Sequence, residues 1–139
     1  MFTEVDVEEL KDTFSFFDDW EDKYRFVIDM GKDLPTLSDE DKIDENIVRG
    51  CQSQVWLTHA CNADGRLKLH IDSDAFIVRG LISIVLAALD EKTPDEILAY
   101  DIEGLFEELE LLQHLSPTRG NGLRAMIARI RQIAETYTR

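Results

Sequence analysis

The chain holds two cysteines and three histidines, and one of the cysteines stands where packing alone does not ask for it. In "NIVRGCQSQVWL", residues 46–57, Cys51 follows Gly50 and precedes a run that reads as a β-strand. It therefore lies outside the apolar alternation of that strand. Gly50 lets the backbone bend sharply beside the thiol. Arg49 is near in sequence, and a neighbouring cation raises the thiolate fraction of a cysteine. The chemistry this spells is nucleophilic sulfur. The plainer reading of a lone cysteine is a small buried hydrophobe.

Cys61 reads differently. It occupies an alternating strand position and is read as a packing residue or an incidental thiol. A Cys51–Cys61 redox pair would lack C-x-x-C spacing. A Cys–His nucleophile would need a histidine within hydrogen-bond reach of Cys51. His59 falls in the strand after Cys51 and is read as structural, and His70 is expected on an exposed face. His114 precedes "LSPTRGNGL" and is the histidine expected to approach a site, although a histidine at a helix C-terminus also suits the helix dipole. No metal-ligand spacing links these residues, so no metal is expected. No phosphate-binding glycine loop, HExxH or GxSxG occurs, and no resident cofactor is expected.

These residues need a frame. With 139 residues the chain has room for one domain, taken as 1–139, and one hydrophobic core. Its net charge of −14 disfavours nucleic acid and anionic membrane as partners, because phosphate binding needs neutralising Lys and Arg. Acid concentrates at the start: residues 1–46 hold sixteen Asp/Glu against five Lys/Arg. From Pro117 onward Arg119, Arg124, Arg129, Arg131 and Arg139 stand against Glu135 alone. The apolar run Gly80 to Leu89 is far short of the roughly 20 residues of a membrane span. The opening "MFTEVDVEEL" does not read as a targeting leader. A cytoplasmic protein with free thiols is expected.

Val7, Leu10, Phe14 and Phe17 have helical spacing, and Asp18 and Asp19 offer an N-cap for a second helix that Gly31 is expected to stop. Trp20, Tyr24, Val27 and Ile28 would form its inner face. Val55, Leu57, His59 and Cys61 alternate with Trp56, Thr58 and Ala60, predicting a strand. "NADG" at 62–65 ends in the Asp-Gly signal of a hairpin. A second strand follows, with Leu67, Leu69 and Ile71 on one face and Arg66, Lys68, His70 and Asp72 on the other. A third short strand is expected near Glu45–Val48, since two strands make a marginal sheet.

The remainder reads as helices. "SDAFIVRGLISIVLAAL" is apolar nearly all round, as a buried helix is. "TPDE" at 93–96 is a capping box with proline at the first helical position. "DIEGLFEELELL" reads as one short helix. Pro117, Gly120 and Gly122 are expected to break the chain before a last helix carrying Leu123, Ile127, Ile130 and Ala134. The predicted class is α+β, a small three-stranded antiparallel sheet packed with helices.

"DLPTL", "RGCQSQVWL", "DSDAFIVRGLISIVL" and "QHLSPTRGNGL", in this order and after the helical start "DDWEDKYRFVIDMGKDLP", resemble the SufE family of sulfur-acceptor proteins. The resemblance runs from about Phe14 to Ala134, and CsdE-type acceptors share the pattern. It implies an α+β fold like that of the IscU/NifU scaffold proteins. It implies a chain that takes sulfane sulfur from a PLP-dependent cysteine desulfurase of SufS or CsdA type and stimulates its turnover. The sulfur would pass to an iron–sulfur scaffold complex of SufBCD type. The family's acceptor cysteine falls on Cys51, and the arginine of its "SPTR" segment falls on Arg119, as a stabiliser of sulfur anions. The several cysteine ligands of scaffold proteins are lacking, so cluster assembly on this chain is not expected. Such a protein is a sulfurtransferase-like carrier, monomer or homodimer. An independent thiol hydrolase or oxidoreductase using Cys51 with a histidine is the alternative, and a binding module with merely structural cysteines is a third.

Overall fold

Local capping chemistry decides where most of the helices begin. The computed structural model describes residues 7–48 and 54–138. Helix α1 spans Val7–Ser15 and buries Leu10 and Phe14. Helix α2, Trp20–Asp33, starts at Asp19, whose carboxylate accepts the Asp22 N–H at 3.0 Å. Phe17 lies beyond the end of α1, yet still packs against Phe14 and Phe26 at ring separations of 6.0 and 5.5 Å.

Two strands follow, β1 at Val55–Cys61 and β2 at Leu67–Ser73. They pair antiparallel from Val55 opposite Ser73 to Cys61 opposite Leu67. Their turn carries Gly65 at φ 84°, with the Gly65 N–H on the Asn62 carbonyl at 3.0 Å. That left-handed position is one glycine adopts without steric cost.

Helix α3, Phe76–Leu89, is the centre of the molecule and is buried on nearly every side. It packs against α2, β2, α1 and the last helix. Helix α4, Pro94–Ala99, has the expected capping box: Thr93 Oγ1 accepts the Glu96 N–H at 3.2 Å and Glu96 accepts the Thr93 N–H at 3.0 Å. Helix α5, Ile102–Glu108, is capped by Asp101. Helix α6, Pro117–Tyr137, closes the fold and packs on α4, burying Leu123, Ile127, Ile130 and Ala134 as its stripe requires.

The α+β class therefore stands, but the expected third strand does not. Among the described residues the sheet has two strands. Asp44–Asn46 winds into one 3₁₀ turn, held by Asn46 Nδ2 donating to the Asp41 carbonyl at 2.8 Å. Only Ile47 then reaches ladder geometry, as a single bridge to Trp56. A turn that ends one residue before the sheet edge leaves no length for a ladder.

Other boundaries shift for identifiable reasons. Gly31 does not stop α2, which continues to Asp33. A methyl group added at Gly31 would strike the Phe76 carbonyl and the Gly80 amide, and one at Gly80 would strike the Val27 carbonyl. These glycines let α2 and α3 cross with their backbones almost touching. Gly120 and Gly122 likewise sit within α6, which begins at Pro117 behind its N-cap Ser116. The "DIEGLFEELELL" helix is shorter than its pattern: Glu110 turns to φ 58°, and a 3₁₀ turn at Leu112–His114 follows.

Candidate functional site

Cys51 lies outside the described residues, as do Arg49 and Gly50. What the structure places is the chain on either side. The Val48 N–H donates to the Val55 carbonyl at 2.8 Å, one residue after the Ile47–Trp56 bridge. On the other side the Gln54 N–H donates to Asp74 Oδ1 at 3.2 Å, and the Asp74 N–H returns to the Gln54 carbonyl at 3.3 Å. The chain thus leaves the described fold at Val48 and resumes at Gln54, with each end tied to the hairpin.

Beneath these ends sits a buried charge cluster. Asp72, opposite Trp56 in the sheet, is fully buried. Its Oδ1 accepts from the Ser73 N–H at 2.8 Å and from Arg79 Nη1. Its Oδ2 accepts the Leu37 N–H at 3.0 Å and lies 3.6 Å from Lys42 Nζ. Arg79, also buried, spends its other donors on the carbonyls of Gly31, at 2.8 Å, and Leu34. One carboxylate and one guanidinium so join the C-terminal end of α2, the 34–48 segment, β2 and α3. A buried carboxylate needs such partners, because an isolated charge in an apolar interior is very costly. Lys42 Nζ also stands 5.3 Å from the centre of the Trp56 indole, within cation–π range.

Strand alternation places Asp72 on the polar face, so its burial was not expected. The signal available was its identity as an acid seven residues before Arg79, but strand–helix contacts of this kind depend on the fold rather than on spacing.

Arg119 lies in the first turn of α6 and is exposed. Its backbone N–H donates to Ser116 Oγ at 3.3 Å, which fixes the helix start. The connector before it is held by α2. His114 stacks on Trp20 with ring centroids 4.6 Å apart and planes 16° from parallel. Lys23 Nζ donates to Glu110 Oε2 at 2.9 Å and to the Leu109 carbonyl at 3.4 Å. The Lys23 hydrogen bond, with its charge, holds the Glu110 carboxyl below the usual carboxylate value.

The histidines separate. His59 Nδ1 meets the Tyr137 hydroxyl at 3.1 Å, and the two rings pack edge to face. Tyr137 lies 18 residues beyond Arg119, about 27 Å along an α-helix, so His59 and Arg119 are at opposite ends of α6. Partial burial, then the nearby positive charge of Arg129, lowers the His59 pKa below 6.5. His70 is exposed, as its strand position predicts, and His114 is occupied by Trp20.

Of the two readings of Cys61, packing is corrected: the residue is an exposed free thiol, with Sγ 3.6 Å from the Asn62 carbonyl. Val55, Trp56 and Leu57 are buried, but β1 runs out of the core after Thr58, so alternation no longer brings side chains inward. Among the described residues no group of three His, Cys, Asp or Glu side chains is arranged to hold a metal ion. No described helix is long and apolar enough to cross a membrane.

A solution structure of a hypothetical protein from Thermus thermophilus is similar to this chain, with a TM-score of 0.75 over 95% of each chain at 16% identity. At that identity the likeness concerns the fold. The SufE family, described as an Fe–S metabolism associated domain, matches residues 8–134, a range that takes in α1 through most of α6 and the 49–53 segment. With a match over nearly all of its length, the chain belongs to the SufE family and is associated with Fe–S metabolism.

Proposed function

We propose that this chain is a sulfur acceptor and carrier, with Cys51 as the residue that takes sulfur from a PLP-dependent cysteine desulfurase of SufS or CsdA type. The observation that carries the reading is the family match across residues 8–134, which includes the cysteine-centred "RGCQSQVWL" and the "SPTRGNGL" segment. Ends of the cysteine segment tied to a rigid hairpin at Val48 and Gln54 suit a thiol that must meet a partner's sulfur in a defined place.

The Cys51 thiolate attacks the terminal sulfur of the desulfurase persulfide. A new S–S bond forms on Cys51 as the S–S bond of the donor breaks. The terminal sulfur carries its proton across, and the donor cysteine leaves as thiolate. The exchange balances without an outside oxidant or reductant and is governed by the thiolate fraction of the attacker and the pKa of the leaving group. Arg119 stabilises the thiolate or persulfide anion. The sulfur is then delivered to an iron–sulfur scaffold complex of SufBCD type in the cytoplasm. The acidic surface of α1, α2 and the 34–46 segment docks on a basic face of the desulfurase and raises the association rate.

The test is desulfurase turnover. Added to a SufS-type enzyme with cysteine, the wild-type chain stimulates turnover and Cys51→Ser does not. Arg119→Ala slows acceptance. Equal stimulation by wild type and Cys51→Ser contradicts the reading, and normal acceptance by Arg119→Ala removes the role given to that arginine.

A further inference from the structure

Asp72 has more positive charge around it than its burial requires. Arg79 alone neutralises the carboxylate, and the Leu37 and Ser73 N–H groups complete its hydrogen bonds. Lys42 is a second cation, 3.6 Å from Oδ2, with its side chain 30% exposed. Only the lysine of this pair is partly exposed; the Asp72 carboxylate is buried and already paired with Arg79. The placement of Lys42 is the informative part. The same ammonium lies over the Trp56 indole, and Trp56 is both the cross-strand partner of Asp72 and the bridge partner of Ile47. One residue on, the Val48 N–H is bound to the Val55 carbonyl. Two residues beyond Asp72, Asp74 holds Gln54.

We infer that Lys42 is a positioning residue for sulfur transfer: by bridging Asp72 and Trp56 it holds the chain ends at Val48 and Gln54 in register. This rests on the reading of Cys51 as acceptor and adds a residue that holds the two described flanks of its segment. The bridge needs a cation that can face a carboxylate and a ring together. An arginine does both, through its fork of donors and its planar stacking surface. A neutral glutamine carries no charge to face either the carboxylate or the indole.

The test is single-turnover transfer from a persulfide-loaded PLP-dependent cysteine desulfurase, read by intact mass after quenching over a range of chain concentrations. Lys42→Gln is expected to lower the maximal rate by about tenfold or more, the order that small misplacements of a reacting group produce. The half-saturating concentration and the thermal midpoint stay at wild-type values. Lys42→Arg restores the rate. A wild-type maximal rate in Lys42→Gln, a change confined to the half-saturating concentration, or a failure of Lys42→Arg to recover would each overturn the inference. Cys51→Ser run alongside separates the two readings. Sulfur on Cys51→Ser at the wild-type rate overturns the acceptor reading and this inference with it. A silent Cys51→Ser beside an unimpaired Lys42→Gln overturns this inference alone.

Discussion

The Val48 N–H donates to the Val55 carbonyl at 2.8 Å, so two residues seven apart in sequence are neighbours across the start of β1. That bond, the Ile47–Trp56 bridge and the pairing of Gln54 with Asp74 tie the flanks of the cysteine segment to the most buried part of the hairpin. The two described flanks of that segment therefore depend on the pairing of β1 with β2.

Removing one partner of the buried pair should be severe. Arg79→Met leaves Asp72 buried without its guanidinium and frees the carbonyls of Gly31 and Leu34. A loss of about 3–5 kcal/mol in denaturant unfolding is expected. Asp72→Asn should cost comparably, and the double variant Asp72→Asn/Arg79→Met less than the two losses added, because the groups share one network. Additive losses would show that they act independently.

The α2–α3 crossing makes a second prediction. Gly80→Ala places a methyl group against the Val27 carbonyl, a backbone atom that cannot rotate away. Overpacking of this kind costs about 1–3 kcal/mol, despite the better helix propensity of alanine. An unfolding midpoint equal to or above wild type would mean that the helices separate without penalty.

His59 gives a pH dependence with a definite sign. Its folded-state pKa lies below 6.5, chiefly through burial and secondly through Arg129. The unfolded chain therefore binds a proton at a higher pH than the folded chain does. The stability linked to His59 is complete above pH 6.5 and falls as the pH drops toward the lower folded-state value. An NMR titration should place His59 below 6.5, and Arg129→Gln should move it upward while leaving it short of the ordinary value. A wild-type His59 titrating at or above 6.5 would contradict this.

What could be read from the sequence follows the range of the interactions involved. Asp19 and the Thr93–Glu96 capping box act within one helical turn, so their residues announce the helix starts directly. The stripe Leu123, Ile127, Ile130 and Ala134 is equally local, and it is buried as read. Gly31 was misleading because glycine serves both turns and close contacts, and its partners Phe76 and Gly80 lie 45 and 49 residues away; Gly120 and Gly122 lie within the early turns of α6. The strand expected at Glu45–Val48 shrank to one bridge because pairing length depends on where the neighbouring 3₁₀ turn ends. Cys61 is exposed because the burial of β1 fades after Leu57 on both faces, while its cross-strand partner Leu67 on β2 stays buried. Of the proposed site residues, Cys51 stood out through its neighbours and the family resemblance, and Arg119 through the resemblance alone. The Asp72–Arg79–Lys42 cluster did not, since its members come from three separate segments.

The measurement that bears most directly on the central claim is intact-protein mass spectrometry without reductant, after the chain is mixed with a SufS-type desulfurase and cysteine. Wild type should gain the mass of one or more sulfur atoms, and Cys51→Ser should gain none. No gain on wild type would contradict the carrier role, and equal gains on both proteins would move the acceptor from Cys51 to the exposed Cys61.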